Sequence, residues 1–194
     1  MKKILYIHGF CSSARSSTIT TLQREWTDFE VHAFDVNHHP LESIAAIEDY
    51  VKRNNIDLLM GTSLGGYYVL ASDVDIPKVA VNPVIKPESS LDSIDVLGTH
   101  EYFNPRADGI QTFEVKPEHL QEFVGIELHI TPQTYIIGST HDELLGDLTG
   151  VYRKLVGERF TPTSETGHRI DPVVTQRPNG VLYTTALKAV GSNK

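Results

Sequence analysis

Asp57-Leu58-Leu59-Met60-Gly61-Thr62-Ser63-Leu64-Gly65-Gly66-Tyr67-Tyr68 is the stretch on which the fold of this chain turns. Its first half is a short apolar run that ends in glycine, and its second half continues without a charge through Val69-Leu70-Ala71-Ser72. A buried strand running straight into a buried helix is the unit of a parallel sheet covered on both faces. At the junction, G-x-S-x-G puts a serine on a tight strand-to-helix turn, with glycines where side chains would collide. Chance produces that pentapeptide in roughly 6% of chains this long, taking Gly and Ser each near 7% of residues. The flanking context therefore decides its meaning, and a serine that only caps the helix is the bland alternative.

Outward from this junction the pattern repeats. Short apolar runs at 3–8, 31–35, 58–61, 78–82, 134–138 and 159–162 read as strands, several of them continuously apolar. Between and after them, 18–26, 41–53, 64–72, 144–156 and 181–190 read as helices. Leu41, Ile44, Ala45, Ile47, Tyr50 and Val51 recur at helical spacing in the second of these. One connection is far longer than the rest. The segment from about 84 to 132, between the fourth and fifth strands, carries Pro87, Pro105, Pro117 and Pro132, the aromatics Tyr102, Phe103, Phe113 and Phe123, and a short helix expected at 117–124. A structureless loop of that length is out of place in a compact fold, so a lid-like insertion is expected. The whole, 194 residues with 40% apolar content, fits a single domain over 1–194 with a sizeable core.

Composition narrows the partners. The formal net charge is −8 and no long basic run occurs, which argues against nucleic acid and anionic membranes. Met1-Lys2-Lys3 resembles the start of a signal peptide, but Ile4-Leu5-Tyr6-Ile7 stops at His8-Gly9, too short for its apolar core. No apolar run approaches the roughly 20 residues that span a bilayer. A cytoplasmic protein without membrane insertion is expected. The single cysteine, Cys11, excludes an intrachain disulfide.

A serine hydroxyl is a weak nucleophile and needs a base that is itself held by an acid. In a parallel α/β sheet the ligand crevice lies beyond the carboxyl ends of the strands. The fifth strand ends in Ser139-Thr140-His141-Asp142-Glu143, making Asp142 the expected acid. Glu143 is its competitor, with a plainer role in favouring the start of the next helix. After the last strand, Thr166-Gly167-His168 offers His168 as the base, although nine histidines make a late one unremarkable by itself. Two backbone N–H groups must also face the developing oxyanion. Leu64 supplies one, and Phe10, after Gly9 in the loop beyond the first strand, supplies the other. His8 is expected to brace that loop, and Ser12, Ser13, Ser16 and Ser17 to serve as loop and cap residues.

Other features carry less. Cys11 has no base placed for it and reads as a spectator thiol. His38-His39 suggests a metal, but adjacent side chains rarely converge on one ion, no H-E-x-x-H pattern occurs, and Pro40 follows. A loop before a helix is the plain reading, and no metal is expected. His141 is expected to point away from Asp142. No glycine-rich phosphate motif occurs, so no cofactor is expected.

Taken together, these residues resemble the small bacterial esterases of the YqiA/YcfP-like family. The resemblance is carried by Leu5-Tyr6-Ile7-His8-Gly9-Phe10 with Ser12-Ser13, by Gly61-Thr62-Ser63-Leu64-Gly65-Gly66-Tyr67-Tyr68, by Val81-Asn82-Pro83-Val84-Ile85-Lys86-Pro87, and by Asp142-Glu143 and Gly167-His168. It implies a minimal α/β-hydrolase: a six-stranded, mostly parallel sheet with helices on both faces and a lid-like insertion between strands 4 and 5. It also implies a triad of Ser63, Asp142 and His168. The expected substrate is a small carboxylic ester or acyl thioester, cleaved through an acyl-enzyme. One departure stands out. Asp171-Pro172 and Arg177-Pro178-Asn179-Gly180 follow His168 where relatives carry an apolar segment, which bears on how the last helix docks. Two rival readings remain at this point: a peptidase or lipase using the same three residues, and a non-catalytic binding protein on the same scaffold.

Overall fold

The computed structural model describes residues 1–91 and 96–191, so part of the expected insertion, 92–95, lies outside the described residues. From the amino terminus, β1 (Lys2–Ile7) leads to α1 (Ser17–Glu25), β2 (Phe29–His32), α2 (Pro40–Asn54), β3 (Leu58–Thr62) and α3 (Leu64–Ala71). Then come β4 (Lys78–Val81), α4 (Pro87–Ser90), β5 (Gly98–Glu101), β6 (Thr112–Val115) and α5 (Pro117–Gln121). The chain closes with β7 (Thr134–Ser139), α6 (Thr149–Val156), β8 (Phe160–Thr163), α7 (Pro172–Thr175) and α8 (Val181–Gly191).

Six strands form one sheet in the order β2-β1-β3-β4-β7-β8, with every pairing parallel. Alternation along β1 assigns its faces: Leu5 and Ile7 join α2 and α3 in one core, Ile4 and Tyr6 join α1 and α8 in the other. Helices on both faces explain why these strands read as continuous apolar runs. Strand order reverses between β1 and β3, whose register pairs Ile7 with Gly61. The loops leaving these two strands diverge to opposite faces, opening the crevice where ligands bind in such sheets. Both the Gly9-Phe10 loop and Ser63 stand at that crevice.

Several elements differ from the sequence reading. The second strand pairs as Phe29–His32, earlier than the expected 31–35, because Asp35 leaves the sheet to accept from the amides of Ala14 (2.8 Å) and Ala107 (2.7 Å). Helix α6 starts at Thr149 instead of 144, because Asp142 Oδ1 gathers the amides of Leu144 (3.0 Å) and Leu145 (2.7 Å) into a turn. Gly146, at φ +72°, ends that turn. The β4–β7 connection holds an antiparallel pair, β5 with β6, that its mixed composition does not disclose. The short helix within it ends at Gln121, not 124. Among the described residues no helix is long and apolar enough to cross a membrane.

Candidate active site

Ser63 sits between β3 and α3 at φ 55°, ψ −123°. That positive φ is costly for a residue with a side chain and persists only where the surroundings impose it. The glycines on either side show how. A Cβ on Gly65 would lie 2.3 Å from the His8 carbonyl oxygen, and one on Gly61 would lie 2.6 Å from the Gly65 oxygen. Backbone packs on backbone here, and the serine is turned outward. Gly9 approaches from β1 closely enough that an added Cβ would stand 3.2 Å from Ser63 Cβ.

Three side chains meet at this point from three elements. His168 Nε2 lies 2.8 Å from Ser63 Oγ, and His168 Nδ1 lies 2.9 and 3.1 Å from the two oxygens of Asp142. Asp142 and His168 are both buried. The network assigns the tautomer: Nδ1–H donates to the carboxylate, leaving the Nε2 lone pair to accept from the serine hydroxyl. Burial raises the Asp142 pKa, but hydrogen bonds from His168 and from the Leu145 and Leu144 amides outweigh it and hold the carboxyl below its ordinary value. It is therefore a fixed negative charge beside the imidazole at neutral pH.

The competitor carboxylate has a different place. Glu143 Oε2 accepts from the His168 backbone amide at 2.8 Å rather than starting a helix. Glycine at 167 makes that approach open, since a Cβ there would stand 2.4 Å from Glu143 Oε2. His141 turns to Thr140 Oγ1 (2.7 Å) and is exposed, away from the three-residue cluster.

Leu64 is the first residue of α3, where amides have no partner within the helix. Phe10 follows Gly9 on the loop beside Ser63. His8 is buried, donating from Nδ1 to the Gly9 carbonyl (2.9 Å) and accepting the Val36 amide at Nε2 (3.1 Å), so it braces this loop. Burial pulls its pKa down to about 4. Cys11 is buried, and burial pushes its thiol up to about 11. Ser16 caps α1, its hydroxyl accepting from Ile19 N. Phe113 packs edge-on against Phe10 at 5.4 Å, and both line a cavity of about 10 Å³ with Leu64, Tyr68 and Tyr102. Phe103 stays exposed beneath the Arg169 guanidinium.

One residue of the cluster was not singled out as functional by sequence. Asn82, fully buried at φ 43°, donates from Nδ2 to the carbonyls of Gly167 (2.9 Å) and His168 (3.1 Å) and accepts the Ser139 amide (2.7 Å) at Oδ1. It ties the end of β4 to the end of β7 and to the loop carrying His168. Asn before Pro at the end of a central strand was its one visible signal. For metals, the described residues bring together His38, His39 and His119. His38 and His39 are neighbours in sequence, whereas His119 reaches them from 81 residues away.

A family model described as the uncharacterised protein family UPF0227 matches residues 3–156. The UPF0227 protein Ent638_1623 of Enterobacter sp. (strain 638) is 29% identical over 98 residues, 46% of this chain and 54% of that protein. The chain thus matches about half the length of this curated relative. Among solved structures, Est1E from Butyrivibrio proteoclasticus with bound ferulic acid superposes with TM-score 0.72 at 14% identity, covering 98% of this chain and 90% of Est1E. The ydeN gene product of B. subtilis gives TM-score 0.65 at 15% identity, covering both chains fully. A monoacylglycerol lipase of Paleococcus ferrophilus gives 0.59 at 15%, over 97% and 94%. At such identities the likeness speaks to fold, and the fold is that of the α/β-hydrolases.

Proposed function

Since the chain belongs to the uncharacterised family UPF0227, the YqiA/YcfP-like family that its sequence resembles, we propose a function from its own site: a serine hydrolase of small carboxylic esters or acyl thioesters. The observation that carries the reading is the unbroken hydrogen-bond chain from Asp142 through His168 to Ser63. A surface histidine or a capping serine has no use for this arrangement. A buried imidazole held by a buried carboxylate and aimed at a hydroxyl on a strained turn is how a weak nucleophile is made to attack.

In the proposed mechanism Ser63 Oγ attacks the substrate carbonyl carbon as its proton passes to His168 Nε2. Asp142 keeps the imidazole oriented and stabilises its charged form. The Leu64 and Phe10 amides donate to the tetrahedral oxyanion, each by analogy worth about 3 kcal/mol in the transition state. His168 then gives its proton to the leaving alkoxide or thiolate, whose bond to the carbonyl carbon breaks. Water, deprotonated in turn by His168, releases the acid and restores the serine. Glu143 and Asn82 act through the loop: one holds the His168 amide, the other the carbonyls of Gly167 and His168. The small cavity beside Phe10 and Leu64 is about the size of a single water. With so little preformed room beside the oxyanion loop, short or flexible acyl chains are the substrates proposed.

A fluorophosphonate probe followed by peptide mass spectrometry tests the nucleophile. The adduct is expected on Ser63 and lost in Ser63→Ala. Folded protein without an adduct would favour a non-catalytic binding protein. A panel of oxygen and sulfur esters of graded acyl length tests the substrate class, with hydrolysis falling at least about 10⁴-fold in Ser63→Ala. Activity confined to peptide bonds would overturn the ester assignment.

A further inference from the structure

His38 and His39 stand where the chain bends between β2 and α2, and His119 stands on α5 in the β4–β7 connection. Successive side chains of an extended segment point apart. The bend at His38 removes that restriction, and the two rings lie 4.3 Å apart by centroid, tilted by 35°. The His119 ring is 4.9 Å from each. His38 Nε2 is 3.1 Å from His119 Nδ1, and one nitrogen from each of the three rings can be chosen with all within 4.8 Å of one another. Two imidazole nitrogens on one tetrahedral ion, each about 2.05 Å from it, sit about 3.3 Å apart. The His38–His119 spacing is already near that of co-ligands, and the His39 ring lies against both.

Hydrogen bonding separates this cluster from an ordinary structural histidine. Both ring nitrogens of His8 are satisfied by backbone groups. His38 Nδ1, by contrast, is buried without a partner, while the single Nδ1 lone pair of His119 faces both His38 Nε2 and the Lys116 amide (3.2 Å). His39 is oriented by a carboxylate: its Nδ1 lies 2.9 and 3.1 Å from the two oxygens of Glu122. An imidazole that donates Nδ1–H to a carboxylate presents a basic Nε2, which is the usual outer-shell arrangement of a metal-bound histidine. Three imidazoles and no thiolate suit zinc and its neighbours in the first transition row.

We propose that His38, His39 and His119 form a site for a divalent transition metal of the zinc type, with Glu122 orienting His39. The site joins the body of the fold to α5, so a bound ion clasps the β4–β7 connection onto the segment between β2 and α2. His38 also lines the cavity beside Phe10 and Leu64 and stacks on Phe113 at 5.0 Å. The ion thereby holds one wall of that cavity in place. This reading is independent of the hydrolase proposal, because none of the three histidines belongs to the Ser63 cluster.

Chelator-treated full-length protein titrated with Zn(II) by calorimetry tests the site, with Co(II) absorption as a second readout. One equivalent of Zn(II) is expected, with a rise in melting temperature and visible Co(II) bands typical of a tetrahedral nitrogen-rich site. His119→Gln should weaken binding by at least about 100-fold and Glu122→Gln by about 10-fold, while Ser63→Ala binds as the parent does. The metal-free melting temperature of His119→Gln shows that the variant is folded. No stoichiometric binding, or binding and Co(II) bands that survive His119→Gln, would overturn the proposal.

Discussion

At the residue scale the site is governed by conformations that ordinary residues avoid. Ser63 at φ 55° and Asn82 at φ 43° both lie at positive φ, and both sit at strand ends facing His168 or its loop. In the proposed mechanism Asn82 acts through the His168 loop as a positioning residue, so Asn82→Gly, which removes the side chain but tolerates the backbone, isolates its role. We expect kcat for ester hydrolysis to fall roughly 10–100-fold with KM nearly unchanged, since small misplacement of a base costs about that much. Steady-state kinetics checks this, and an unaltered kcat would refute the role. His8 gives a prediction about stability. Its folded pKa of about 4 lies below the unfolded value of about 6.5, so the unfolded chain binds the extra proton between them. The stability contribution is fully present above pH 6.5 and is lost as pH falls toward 4, amounting to roughly 3 kcal/mol. Thermal melts across that window should show a shallower decline in His8→Gln than in the parent.

At the element scale, the approach of α3 to β1 and β3 decides where the serine points. All eight residues of α3 are buried, and Gly65 lies against the carbonyls of Ile7 and His8. No flexible side-chain end is available to move aside. Gly65→Ala should therefore destabilise by about 3 kcal/mol or more, at the upper end of overpacking costs, and should reduce fluorophosphonate labelling with it. Chemical denaturation measures the first effect. The last helix shows a different kind of control. The polar segment after His168 does not prevent α8 from docking: Leu182, Tyr183, Ala186 and Ala189 enter the core shared with Ile4 and Tyr6. Asp28 holds the junction, accepting from Arg177 and from the Tyr183 hydroxyl, each at 2.6 Å.

At the scale of the whole molecule, polar groups join the aromatics in fastening the β4–β7 connection to the body of the fold. Asp35 accepts from Ala14 and Ala107, the Phe103 amide donates to Cys11 O (2.8 Å), and buried Arg106 donates to Val36 O (2.9 Å) while paired with Asp108. Asp35→Ala leaves two amides without their acceptor and should free this connection while the sheet persists. Limited proteolysis is expected to cut between 96 and 116 several-fold faster, with little change in the far-ultraviolet dichroism. Equal cleavage rates would mean that the aromatic contacts of Phe10, Tyr102 and Phe113 suffice.

The sequence by itself determined the strand-to-helix turn at Ser63, the parallel α/β succession, and the two later strand ends from which a carboxylate and a histidine are offered. These follow from local demands: glycine where backbones touch, apolar runs where both faces are covered, and chain order. Only the tertiary structure decided which of two adjacent carboxylates meets the imidazole, across 26 residues, and gave Asn82 its hold on the His168 loop, across 86. It also brought His119 to His38, 81 residues away. Such contacts depend on the paths of loops after they leave the sheet. Those paths are set by scattered hydrogen bonds, like those of Asp35 and Asp142, that have no period in sequence and no hydrophobic signature.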